Sequence, residues 1–96
     1  MYRFSYSETF KKKIDKLLLK DERLKKKIKK ALQILAQDPF YPSFKTHKLN
    51  TRHFGVKQSS WVTGDVRIVW DFDKENSSII LLLDIGKHSG AKKVYT

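Results

Sequence analysis

The chain has 96 residues, room for one domain and one modest core. Hydrophobic residues make up 40% and charged residues 32%, a folded-domain composition, and the absence of cysteine excludes a disulfide scaffold, a thiol nucleophile and any Cys-ligated metal centre. The formal net charge of +11 calls for a polyanionic partner: RNA, DNA, an anionic membrane surface or an acidic protein.

Tyr2, Phe4 and Tyr6 alternate with Arg3 and Ser5, as in a short first strand with one buried face. Ser7 reads as an N-cap, with Glu8 well placed in the first helical turn. Phe10, Ile14, Leu17 and Leu18 then fall on one side of an amphipathic helix, and Lys11, Lys12, Lys13 and Lys16 cover the rest. Asp21 can cap a second helix with the apolar stripe Leu24, Ile28, Ala31, Leu32 and Leu35, which should stop at Gln37 or Asp38 ahead of Pro39. So short a link makes the two helices an antiparallel hairpin. Residues 1–37 hold 12 basic and 4 acidic groups, so most of the excess charge belongs to this hairpin.

Asp38 to Asn50 reads as an ordered loop leading into a short strand near His47–Leu49. Beyond it the pattern becomes β: a strand over Val56–Val62, a tight turn at Thr63-Gly64, and a strand with Val66, Ile68, Trp70 and Phe72 on one face. Asp65, Arg67, Val69, Asp71 and Asp73 occupy its other face. After a second turn, Ser78–Ile85 is apolar on nearly both faces, so it belongs inside the sheet, and Gly86 ends it. The longest apolar run, Ile79–Leu83, is far short of a membrane span, and the first residues lack the apolar region of a signal peptide. The expected architecture is α+β, a single domain over residues 1–96. It has an antiparallel sheet with the two-helix hairpin packed on the Val66, Ile68, Trp70 and Phe72 face. A cytoplasmic protein with no membrane partner is expected.

The open face of that sheet is where chemistry can gather. Asp65 and Arg67 are two residues apart and point the same way, away from the helices. Asp84 has the parity of Ile80 and Leu82, opposite Ile79, Leu81, Leu83 and Ile85. His88 follows the last strand and His47 opens the sheet region. A carboxylate, a guanidinium and imidazoles on one surface are the groups needed for metal-free phosphodiester cleavage. A base takes the proton of a ribose 2′-hydroxyl, a cation stabilises the phosphorane, and an acid protonates the leaving 5′-oxygen. Plainer readings stand beside this one: Asp65 can finish a turn, Arg67 can pair with Asp84 or Asp71, and His88 can be a loop residue. His47, His53 and His88 match no metal-ligand spacing, so no metal and no cofactor are expected. Tyr41 and Phe44 are the better base-stacking candidates, while Trp70 belongs to the core.

Four segments together resemble the RelE/ParE toxin superfamily, and most closely its YafQ-like branch in bacterial type II toxin–antitoxin systems. They are His47-Lys48-Leu49, Trp61 to Trp70, Leu81 to His88, and the closing Val94-Tyr95. The lysine-rich hairpin is in its place too, so the resemblance covers nearly the whole chain. It implies a microbial ribonuclease-like fold and a ribosome-dependent mRNA endonuclease, metal-free and without a small-molecule cofactor. It also implies a cognate antitoxin as partner, besides ribosome and mRNA. Carried over by position, His88 is the general acid, Asp65 or His47 the base, Arg67 the phosphorane-stabilising cation and Tyr95 the aromatic that orients substrate. Lys11, Lys12, Lys13, Lys25, Lys26 and Lys29 would meet ribosomal RNA phosphates, with Lys57 near the cleavage site. The sequence departs from the family pattern in two places. Ser89 to Lys93 lengthen the gap before Tyr95, and Ser59 and Ser60 stand where relatives carry basic residues. Two other classes remain open: a gyrase-poisoning toxin of the ParE type without hydrolysis, and an inactive basic RNA-binding module.

Overall fold

The computed structural model describes residues 1–87. In chain order it has β1 (Arg3–Tyr6), α1 (Glu8–Lys20), α2 (Glu22–Gln37), a 3-10 turn at Pro42–Phe44, β2 (His47–Thr51), β3 (Gly55–Trp61), β4 (Val66–Phe72) and β5 (Ile79–Lys87). One five-stranded sheet has the order β1-β5-β4-β3-β2. The pairs from β2 to β5 are antiparallel, as expected, whereas β1 lies parallel to β5 at one edge. Among the described residues no helix is long and apolar enough to cross a membrane.

The helix starts follow from their caps. Ser7 Oγ accepts from Phe10 N–H at 3.0 Å, satisfying one of the donors a helix start leaves unpaired. The same hydroxyl donates to the Leu83 carbonyl at 2.6 Å, pinning the start of α1 to β5. Asp21 closes α1 and opens α2, its Oδ1 accepting from Arg23 N–H at 2.9 Å. Helix α2 ends at Gln37, with the Asp38 N–H donating to the Ile34 carbonyl at 2.7 Å before Pro39.

The core lies between the helices and one sheet face. Phe10, Ile28, Ala31 and Leu35 from the helices meet Val66, Ile68, Trp70, Ile80, Leu82 and Ile85 from β4 and β5, with Phe44 from the loop. The α2 stripe therefore faces the sheet side expected of it, and each large apolar side chain there adds about 1.5–3 kcal/mol by leaving water.

Strand β5 departs from strict alternation. Its register with β4 shifts between Val69 and Trp70: Trp70 faces Leu82, yet Val69 faces Asp84, so Leu83 is the extra residue of a bulge. Ile85 thereby joins the core opposite Ile68, and Asp84 moves to the open side opposite Val69. Parity had grouped Asp84 with Ile80 and Leu82; the bulge reverses that grouping. Gly86 does not end the strand either, because it pairs with Arg67 and the ladder runs on to Lys87.

Candidate active site

The face turned away from the helices is organised in rows across the strands. His47, Ser59, Val69 and Asp84 are successive partners in one row. Trp61, Arg67 and Gly86 form the next, on the side of the β3–β4 turn. Lys57 and Asp71 stand on the other side, joined by an ion pair of 3.3 Å. His47 and Arg67 thus share a face, two strands and roughly 10 Å apart across the sheet and one row apart along it.

Arg67 is firmly held. Its side chain is 3% exposed, its guanidinium carbon lies 3.9 Å from the centroid of the Trp61 ring, and Nη1 donates to the Thr63 carbonyl at 2.9 Å. Its Nε is buried without a hydrogen-bond partner among the described residues. A buried guanidinium with an unused N–H is suited to an anion. Lys45 Nζ also lies 4.5 Å from the Trp61 ring, so that indole gathers two cations.

His47 is exposed at the start of β2, an edge strand. Its Nδ1 lies 2.9 Å from the Lys45 carbonyl. A carbonyl only accepts, so Nδ1 carries the proton and neutral His47 presents Nε2 as a lone pair. Lys45 itself has φ 47° after the 3-10 turn, an unusual backbone for a non-glycine residue, and this bend sets the carbonyl beneath the imidazole.

Asp65 lies just outside β4, in the turn rather than in the strand. Its N–H donates to Thr63 Oγ1 at 3.1 Å, as does that of Val66 at 3.0 Å, so the Thr63 hydroxyl organises the turn. Half-buried, Asp65 borders a small cavity of about 280 Å³ with Asp21, Arg23, Lys27 and Lys87. Its cavity neighbours Asp21, Arg23 and Lys27 belong to the helical hairpin, not to the open face on which parity placed it beside Arg67. His88 and Tyr95 lie outside the described residues.

The expected RNA-contacting lysines divide. Lys12, Lys26 and Lys29 are exposed on the helices, and Lys25 is half-buried. Lys11 makes a loose pair with Glu8 at 3.4 Å. Lys13 reaches Asp84 at 2.8 Å, and Lys57 holds Asp71, so these two neutralise carboxylates of the sheet.

One arrangement escaped sequence reading. Trp70 Nε1–H donates to Ser60 Oγ at 2.8 Å, Ser60 and Thr46 hydroxyls are 2.6 Å apart, and the Thr46 hydroxyl donates to the Pro39 carbonyl at 3.0 Å. The bonds therefore run in one direction, with Ser60 donating to Thr46. They tie β4 and β3 to the loop ahead of His47. The signal was present: Ser60 alternates away from Ser59, on the side of Trp70. Both serines are buried, so neither position offers a cation to the open face.

The family model for "Bacterial toxin of type II toxin-antitoxin system, YafQ" matches residues 2–92. This chain belongs to that family. The fold agrees. YafQ from E. coli strain BL21(DE3) is 19% identical over 91% of this chain and 93% of its own, with a TM-score of 0.68. YafQ in the E. coli DinJ-YafQ complex is 22% identical, covering 92% of this chain and 94% of its own at a TM-score of 0.64. A metal-bound toxin from Helicobacter pylori is 23% identical, covering 92% and 96% at 0.69. No curated protein sequence matches. Among the described residues of this YafQ-family toxin, no cluster of three or more His, Asp or Glu side chains could hold a metal ion.

Proposed function

We propose that this YafQ-family toxin is a ribosome-dependent mRNA endonuclease, acting by metal-free acid–base chemistry and restrained by a cognate antitoxin. The observation that carries the reading is on the open face. An imidazole there presents Nε2 as a lone pair, and one row away a fixed guanidinium has an N–H without a partner among the described residues.

His47 Nε2, or alternatively the Asp65 carboxylate, removes the 2′-hydroxyl proton of the ribose before the scissile bond. The 2′-oxygen attacks phosphorus, and Arg67 stabilises the charge on the phosphorane oxygens. His88 gives its proton to the departing 5′-oxygen. One fragment ends in a 2′,3′-cyclic phosphate, the other begins with a 5′-hydroxyl, and the enzyme is restored when the two groups exchange the proton back. Tyr95 orients the substrate. The exposed helical lysines hold ribosomal RNA phosphates. Family membership and the DinJ-YafQ neighbour support the antitoxin as partner.

The test is translation of a defined mRNA in a purified bacterial system, with breaks mapped by primer extension. Wild type is compared with His47→Ala, Arg67→Lys and His88→Ala. Breaks in the A-site codon that need the ribosome, carry 2′,3′-cyclic ends and fade in the variants are expected. Dependence of the chemical step on an added divalent ion would remove the metal-free mechanism. No breaks, with gyrase supercoiling inhibited instead, would overturn the nuclease.

A further inference from the structure

Tyr41, a stacking candidate from the sequence, has no part in the reaction above. It borders a groove of about 430 Å³ between α2, its own loop and the β3–β4 turn. Lys27, Lys30 and Ile34 of α2 line another side, and Trp61 and Thr63 line the end toward the sheet. Those helix positions are three and four residues apart, so they form one stripe with both ammonium groups adjacent. Among the described residues no acidic side chain lines the groove.

The aromatic side of the groove is pre-formed. Tyr41 is 40% exposed, whereas Phe44 is 6% exposed and meets it edge-on, with centroids 5.7 Å apart and planes at 69°. Pro42 fixes the backbone next to Tyr41, and the Phe44 N–H donates to the Tyr41 carbonyl at 2.9 Å. A buried ring thus holds an exposed one in place beside the ammonium groups of Lys27 and Lys30.

We propose that this groove is a subsite for single-stranded RNA, with one base stacked on Tyr41 and its flanking phosphates against Lys27 and Lys30. The proposal rests on the reading that the chain acts on RNA, and it adds a place for nucleotides outside the cleavage site. A base uses the ring and its phosphates use the lysines, whereas an acidic peptide needs only the lysines. Trp61 stands in the Arg67 row and also lines the groove, so this one residue borders both the open face and the groove.

The test is fluorescence anisotropy of a labelled 2′-O-methyl uridine hexamer, which cannot be cleaved, on the full chain. Tyr41→Leu should lose roughly tenfold in affinity and Tyr41→Phe should keep it. Lys27→Glu/Lys30→Glu should lose at least as much, and flatten the slope of log affinity against log salt by about 1.4. Lys26→Glu/Lys29→Glu, with the same charge change outside the groove, should lose clearly less. Equal losses in the two lysine pairs, or a Tyr41→Leu chain that binds like wild type, would overturn the subsite. So would an oligoglutamate peptide that binds through Tyr41, Lys27 and Lys30 while the hexamer ignores them. If Tyr41→Leu does not fold, the two lysine pairs decide. Ribosome-dependent cleavage is scored separately: groove-dependent hexamer binding without cleavage keeps the subsite and removes the nuclease, and the converse removes only the subsite.

Discussion

Ser60 shows how much a single hydroxyl can hold. It receives the indole N–H of fully buried Trp70 and passes its own proton to Thr46, which bonds the Pro39 carbonyl. Ser60→Ala strands a buried donor and should destabilise the fold by about 1–3 kcal/mol in urea unfolding. Trp70→Phe removes that donor, so the double variant should be less destabilised than the sum of the singles. Additive losses would mean the hydroxyl and the indole do not depend on each other. Lys13 makes a similar contrast with its neighbour. Its ammonium meets Asp84, whose side chain is only 10% exposed, while its own is 45% exposed. Lys13→Ala leaves that carboxylate without its cation and should cost about 1–2 kcal/mol, discounted from a fully buried pair because Lys13 is wet. Exposed Lys12→Ala should stay within about 0.5 kcal/mol. Thermal melts that place the two alanines together would sink the structural role given to Lys13.

At the scale of elements, two short polar side chains set where the helices begin. Ser7 both caps α1 and bonds the Leu83 carbonyl, so Ser7→Ala loses a cap and an anchor and should cost about 1–2 kcal/mol. Asp21→Ala loses only the α2 cap, about 1 kcal/mol, and circular dichroism melts should rank them in that order. These starts were legible because a cap is local: Ser7 and Asp21 sit just before apolar stripes of helical period. The Thr63-Gly64 turn, and the strand after it, were legible for the same reason. What stayed hidden was non-local. Nothing in Tyr2 to Tyr6 says that β1 pairs parallel with β5, because a strand's partner is chosen by the whole chain's path. The bulge at Leu83 was hidden too, since an apolar run offers no mark of which residue is extra. Alternation put Arg67 on the open face, and the hairpin register pairs it there with Trp61. The contact of Lys45 with that same indole needed the loop's path, which the sequence does not state.

At the scale of the molecule, the lysine excess and the residues proposed for cleavage occupy different sides. The helical hairpin carries the lysine excess on one face of the sheet, and His47 and Arg67 stand on the other. Positioning on a ribosome and cleavage should therefore be separable. Lys12, Lys26 and Lys29 are exposed, so Lys12→Glu/Lys26→Glu/Lys29→Glu leaves the core intact and lowers self-repulsion. If each lysine meets a phosphate, the salt slope for ribosome association should shrink by roughly 2–3. Half-saturation by ribosomes should then rise by tenfold or more at low salt, while the cleavage rate at saturation stays near that of wild type. Arg67→Lys should do the reverse: association holds, because the charge and the distant lysines remain, and the saturated rate falls with the loss of the fixed fork. A single-turnover titration of ribosomes at two salt concentrations reads both quantities at once. A triple variant that loses saturated rate, or an Arg67→Lys chain that loses only association, would show that the two sides of the sheet act as one site.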